Sequence, residues 1–202
     1  LLGGRADWIW KFSPDQYDAV NRMPTVQALR SESMRIGYLN MDSAGRTGAG
    51  NPLTNQKVRQ AIFYAIDRET MAKQLVQGGS RALDAPCYPT QFGCDAAAAV
   101  TYPYDPAKAR QLLAEAGYPN GFDTELVTYV LPSWAGAIQN YLKAVGINAR
   151  LSVLQVGAVV QRSIAGQNCF SRGPSTRTET ICRSTAVFFC SMGVSGCGSK
   201  LS

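Results

Sequence analysis

Between Tyr102 and Gln155 the apolar residues switch twice between a helical and an extended period, and each switch falls on a punctuation residue. Ala109, Leu112, Leu113 and Ala116 recur every three or four residues, the spacing of one helix face. Asp105 before Pro106 supplies an N-cap and a proline at the first helical position, where the missing N–H had no partner to lose. Gly117 ends that helix and Pro119-Asn120-Gly121 makes a turn. From Phe122 to Val130 the period becomes two, with Leu126, Thr128 and Val130 alternating against Glu125, Val127 and Tyr129. Ser133 opens a second helix with Ala137, Ile138, Tyr141, Leu142 and Val145 on one face, closed by Gly146. Ile147 to Val156 is again β-branched and extended. A strand, a crossover helix and a strand with short links predict a βαβ unit, with parallel strands near 123–130 and 147–155. The fold class is therefore α/β.

The same reading applied upstream gives shorter elements. Residues 5–12 alternate enough for a short strand or buried turn with Trp8 and Trp10 on one side, both expected in the core. Ser13-Pro14-Asp15-Gln16 is a capping box that opens a helix ending near Asn21. Thr25–Ser31 and Met34–Met41 read as two strands, the second weakened at Gly37. Residues 43–51 are a loop. Val58, Ala61, Ile62, Ala65 and Ile66 form a helical face, and Asp67 caps a second helix with Met71, Leu75 and Val76 inward and Gly78-Gly79 as its stop. Residues 81–100 have no helical period, and the run Ala96 to Ala99 reads as loop. After Gln155, Val156, Val159, Val160 and Ile164 offer a short helix an apolar face for burial. From residue 168 no period of either kind is sustained.

Composition narrows the chemistry. No apolar run reaches membrane-spanning length, and 202 residues suffice for one sizeable core. Half of the net charge of +6 falls in residues 168–202 and half in the rest, without a basic cluster interleaved with aromatics, so it makes no case for nucleic acid. The sequence has no histidine, which removes the commonest general base and the commonest zinc ligand; neither a Ser-His-Asp nor a Cys-His site can be built from it. Asp and Glu are present, yet no pair stands out at catalytic spacing, so no enzymatic activity is expected. The amino terminus lacks an initiator Met, a basic segment and a long apolar segment, which reads as an internal start.

Several motifs invite sharper readings. Gly48-Ala49-Gly50 hints at a phosphate loop, but neither a G-K-[ST] ending nor a full G-x-G-x-x-G follows. The two helices of residues 55–77 could form a helix-turn-helix, yet the second, RETMAKQLVQ, has no basic stripe for phosphates. Cys87 and Cys94 enclose a short loop with no histidine or further thiol near them. They are a poor metal site, and the choice lies between a disulfide, favoured if the chain is exported, and two free thiols. Cys169, Cys182, Cys190 and Cys197 contain no C-x2-C or C-x4-C knuckle, so zinc is not expected, and no other metal or cofactor is implied.

Three blocks carry a family resemblance: VRQAIFYAIDRETMAKQLVQGG, DPAKARQLLAEAGYPNGFDTEL and YLKAVGINARL. In this order and spacing the chain resembles the extracytoplasmic solute-binding proteins of ABC transporters, family 5, the peptide and nickel group, over roughly residues 5 to 167. The resemblance implies one lobe of a two-lobed, periplasmic-binding-protein-like fold, incomplete here, with residues 1–42 leading into a lobe of residues 43–167. It implies binding of an oligopeptide-type or other small solute outside the cytoplasm and delivery to membrane permease subunits, with no nucleic-acid partner. The alternatives are an inert α/β fragment or an interaction module. Tyr129 and Trp134 fall at the carboxyl end of the first βαβ strand and the loop after it, where open α/β sheets bind ligands. Asn40 and Met41, ending a strand that in the family leads toward the ligand, are the second candidate pair. Residues 168–202 replace the Trp-bearing, acidic loop that the resemblance implies, and are expected to be an unstructured or frame-shifted tail. With one lobe, only weak solute binding is expected.

Overall fold

The computed structural model describes residues 5–10, 16–76, 80–85, 87–129, 132–167, 170–175 and 185–199, with backbone alone at 10, 30–35, 76, 132, 170–175 and 185–199. In chain order the elements are β1 (Trp8–Trp10), α1 (Tyr17–Asn21), β2 (Val26–Met41), α2 (Gln56–Ala65) and α3 (Arg68–Thr70), which continues as a π-helical stretch, Met71–Val76. Then come α4 (Pro106–Glu115), β3 (Phe122–Thr128), α5 (Pro132–Ala144), β4 (Ile147–Val153), α6 (Val156–Ile164), β5 (Phe170–Ser175) and β6 (Thr185–Ser199). The strands form one sheet in the order β1-β6-β2-β5-β3-β4.

The α4–β3–α5–β4 segment is built as the alternation and caps predict. Asp105 accepts from the Lys108 N–H at 2.9 Å, with Pro106 in the first turn of α4. Past α4, Gly117 adopts a left-handed φ of 91°, and the Tyr118 N–H donates back to the Leu113 carbonyl at 2.8 Å. Strands β3 and β4 are parallel and in register from Phe122↔Ile147 to Thr128↔Val153. The two strands begin from a pair of apposed glycines. Gly121 (φ 77°) and Gly146 (φ 96°) both need the left-handed region, and a Cβ on Gly121 would overlap the Gly146 carbonyl.

One face of the sheet is the core. Leu39 and Met41 of β2, Leu126 of β3, and Ile147 and Ala149 of β4 bury against Val58, Ala61 and Ile62 of α2, Leu113 of α4, and Ile138 and Leu142 of α5. Successive strand residues point to opposite faces, so Asn148, Arg150 and Ser152 of β4 lie on the other side. That second face carries hydrogen-bonded polar groups, including Asn148 to Asp123 at 2.9 Å. Here α6 is attached by Arg162, which reaches Glu125 of β3 at 2.6 Å.

Several expectations change. The two strands read at 25–31 and 34–41 are one strand, β2; the break survives as a register shift between Ser31 and Arg35 against β6. A further shift, at Gly37/Tyr38, marks the glycine expected to weaken it. The capping box at Ser13–Asp15 and the stop at Gly78-Gly79 lie outside the described residues, although α1 ends at Asn21 as read. Trp8 is 56% exposed, not core, because β1 is a three-residue edge strand outside the helix-covered area. Ala96–Ala98 form a 3-10 turn capped by Asp95. Of the α6 residues expected to bury, only Val159 does; Val156, Val160 and Ile164 are exposed. Within the segment expected to be an unstructured tail, 170–175 and 185–199 are strands paired to β2. Their partner lies more than a hundred residues upstream, and a local period cannot report it.

Candidate functional site

Strand registers decide which candidate residues meet. Met41 pairs with Phe170, which pairs with Leu126; Asn40 pairs with Ser171, which pairs with Val127. Residues at one register level point to one face, so Met41 shares the core face with Leu126 while Asn40 shares the second face with Val127. Asn40 and Met41 therefore do not act as a pair. Met41 is fully buried among Leu53, Ile62 and the rest of the core.

Tyr129 follows Thr128, the partner of Arg172, which in turn pairs with Leu39. One step further along the parallel strands stands Gly173, paired with Tyr38. Tyr129 follows the last paired residue of β3 in a bend, one residue past the level at which Thr128 meets Arg172, while Tyr38 and Asn40 share the second face of β2. Tyr38, Asn40 and Tyr129 are all half-buried. Trp134, in the first turn of α5, is 3% exposed and packs into the core, so it serves the fold. Asn40 and Tyr129 remain candidates, joined by Tyr38, which shares the Asn40 face of β2. Tyr38 was missed in the sequence, although its even spacing from Asn40 along one strand was the available signal.

The loop of residues 80–105 rises beside this face. Leu83 packs with Ile36 and Tyr38 of β2. Arg68, nearly buried, holds the loop from beneath: it donates to the Leu83 carbonyl at 2.8 Å, to Asp84 at 2.8 Å and to the Tyr102 carbonyl at 3.0 Å. Arg68 belongs to the corner that could have been a DNA-binding helix pair, but here it faces inward, and Met71 and Ala72 of the same segment are buried. Cys87 and Cys94 form a disulfide with Cα atoms 5.7 Å apart, which settles that alternative. Tyr88, inside the disulfide, is buried, and Arg81 lies over its ring at 5.6 Å.

Two carboxylates border the site with their partners in place. Burial opposes ionisation of Asp42, but hydrogen bonds outweigh it: Thr47 donates its N–H and hydroxyl at 2.9 Å, Arg46 its N–H at 3.1 Å and Asn51 its amide at 3.0 Å. The Asp42 carboxyl consequently titrates below its usual range. Loop amides at 46 and 47 already serve this carboxylate, which would repel a phosphate beside Gly48-Ala49-Gly50. On the second face, the hydrogen bond from Arg162 holds Glu125 below the usual range, against partial burial and with help from Ser152 at 2.6 Å. Among the described residues no three His, Cys, Asp or Glu side chains converge to hold a metal ion. Cys169 and Cys182, and the side chains of Cys190 and Cys197, lie outside the described residues. No helix among the described residues is long and apolar enough to cross a membrane.

The architecture is that of an α/β lobe, a mixed sheet covered by helices on one face. Residues 1–168 match the family described as bacterial extracellular solute-binding proteins, family 5 Middle, and the chain belongs to that family. Its members are binding proteins and not enzymes. The chain is 39% identical over 102 residues to heme-binding protein A of Haemophilus influenzae, covering 50% of this chain and 18% of that protein. It is 31% identical over 161 residues to the glutathione-binding protein GsiB of Escherichia coli K12, covering 78% of this chain and 30% of GsiB. The chain thus spans less than a third of the length of these relatives. Among solved structures, the dipeptide binding protein from Pseudoalteromonas sp. SM9913 in complex with Met-Leu superposes with a TM-score of 0.81 at 17% identity, over 98% of this chain and 51% of that one. The fold is therefore that of one part of a periplasmic binding protein.

Proposed function

We propose that this chain is a solute-recognition lobe of an extracytoplasmic binding protein that takes up short peptides or peptide-like solutes and hands them to the membrane permease of an ABC transporter. One observation carries the reading: Tyr38 and Asn40 share one face of β2, and Tyr129 follows the carboxyl end of β3 on the same sheet, with β5 between the two strands. Open α/β sheets bind their ligands at such strand ends. An amide and two phenols offer neutral donors and acceptors together with flat apolar surface, a set suited to a peptide group. Two of the three named relatives, the glutathione-binding and dipeptide-binding proteins, support the peptide-like class, while the third is a heme-binding protein.

A single lobe leaves much of a solute hydrated, so the affinity of this chain is expected to be millimolar. Amide chemical-shift mapping during titration with mixed di- to pentapeptides, with Ni(II) as a second series, is the test. Saturable shifts centred on Tyr38, Asn40 and Tyr129 support the reading. A peptide series without saturable shifts, or with shifts confined to the α2 and α4 side of the sheet, overturns it. Asn40→Ala is expected to weaken peptide binding by about one hydrogen bond, roughly tenfold at most.

A further inference from the structure

The turn that leads into β3 joins a tight backbone constraint to a reactive pair of residues. Tyr118, Pro119, Asn120 and Gly121 form this turn, closed by the Gly121 N–H, which donates to the Tyr118 carbonyl at 3.0 Å. The Tyr118 ring packs edge-on against Phe122, with centroids 5.2 Å apart, and braces the turn against the first residue of β3. Position 121 has to be glycine, because its φ is 77° and a Cβ there would overlap the Gly146 carbonyl. Seen from β4, a Cβ on Gly146 would lie 3.5 Å from the Gly121 nitrogen and 3.6 Å from the Asn120 carbonyl oxygen. The peptide between Asn120 and Gly121 is therefore wedged between the Tyr118 carbonyl and Gly146. Asn120 itself is exposed, and it makes the one Asn-Gly pair in the sequence.

An asparagine side chain can be attacked by the amide nitrogen of the next residue, and glycine, having no Cβ, shields that nitrogen least. We propose that Asn120 is a modification site, deamidated and isomerised when the 118–121 turn opens and protected while the turn is closed. In the step, the Gly121 nitrogen gives up its proton to solvent and bonds to the side-chain carbonyl carbon of Asn120, and the side-chain nitrogen leaves as ammonia. The five-membered imide so formed takes up one water at either of its carbonyls, giving aspartate or isoaspartate, with no oxidation or reduction. In the closed turn the Gly121 N–H is committed to the Tyr118 carbonyl, and turning its peptide toward the side chain breaks the contact with Gly146. Aspartate keeps the backbone length. Isoaspartate adds a methylene to the main chain beside Gly121, where not even a methyl group fits. The turn then cannot reclose, and the paired start of the parallel strands, Phe122↔Ile147, is lost. The site is a one-way record of local opening.

The test incubates the full chain in mildly alkaline buffer, folded and in concentrated urea, and follows the Asn120 peptide by mass and by enzymatic methylation of isoaspartate. Conversion that needs an open turn tracks the open fraction, so the folded chain is expected to convert at least about tenfold more slowly than the unfolded one. Tyr118→Ala, which removes the ring braced on Phe122, is expected to speed conversion of the folded chain by about three- to tenfold and to leave the rate in urea unchanged. The wild-type comparison stands by itself if that variant does not fold. Asn120→Ser is expected to show no conversion in this peptide and to keep the wild-type urea midpoint. The chain carrying isoaspartate, separated from the aspartate form, is expected to unfold at lower urea than Asn120→Asp. Equal rates in the folded and unfolded chain, or no conversion in either, overturn the proposal. An isoaspartate form with the same midpoint as Asn120→Asp overturns it as well, since the turn would then reclose around the longer backbone.

Discussion

The two faces of the sheet are made by different physics. On one face Leu39, Met41, Leu126 and Ile147 close against three helices and are fully buried. On the other, α6 is held through Arg162 to Glu125, and through Arg46, which donates to the Ile164 carbonyl at 2.7 Å, while Val156, Val160 and Ile164 face solvent. The first arrangement scales with apolar area removed from water and is insensitive to salt. The second combines a few charge-assisted hydrogen bonds in partial contact with water with one buried side chain, Val159, and is worth far less. The strong face holds the lobe together, and the weaker face carries Tyr38 and Asn40, the residues of the proposed site.

Gly121→Ala attacks the strong side where its two parallel strands start, and has the largest expected effect. The new methyl cannot coexist with the Gly146 carbonyl, so a loss of about 4 kcal/mol or more is expected, read as a collapse of the urea midpoint. A wild-type midpoint would mean the two glycines are not apposed. Next, Ile138→Ala on the core face is expected to cost about 3–4 kcal/mol, and Val160→Ala on α6 under about 0.5 kcal/mol, in the same urea series. Equal losses at the two positions would erase the contrast between the faces.

Arg68→Met tests the tether under the loop. It removes a donor from two carbonyls and from Asp84, which keeps the Thr101 hydroxyl, and is expected to cost about 3 kcal/mol, with faster proteolytic cleavage in residues 80–100 than elsewhere. A smaller effect than at Arg68 is expected at Glu125. Its folded-state pKa is depressed, so its contribution is complete above the unfolded carboxyl value and is lost as pH falls through the lower folded value. At neutral pH Glu125→Gln is expected to cost about 1 kcal/mol, and stability curves of mutant and wild type are expected to converge in acid. Parallel curves from pH 7 to pH 3 would show that Glu125 contributes nothing through its charge.

The sequence was most legible where interactions are local. The N-cap at Asp105, the stop at Gly117 and the alternation of β3 all concern residues within a turn or a strand of one another, and the α4–β3–α5–β4 segment follows from them. Asn40 and Met41 were misread as a pair although strand alternation separates adjacent residues by rule. Trp134 was misplaced because a strand end and a buried first helical turn look alike in a loop-flanked aromatic. Arg68 could not be assigned, since its partners return 15, 16 and 34 residues later. For the same reason the tail strands were invisible.

The sheet order also has a consequence for how the chain is made. β5 sits between β2 and β3, yet it leaves the ribosome after both, and β6, which pairs along the other side of β2, follows later still. While residues 42–169 are being synthesised, β2 has neither neighbour, and its unpaired backbone is open to whatever strand it meets first. The α4–β3–α5–β4 segment can mature early from nearby residues, but the sheet closes only when late segments insert between early ones. Nascent chains arrested before residue 170 are therefore expected to recruit holding chaperones, and to release them once β5 and β6 have emerged.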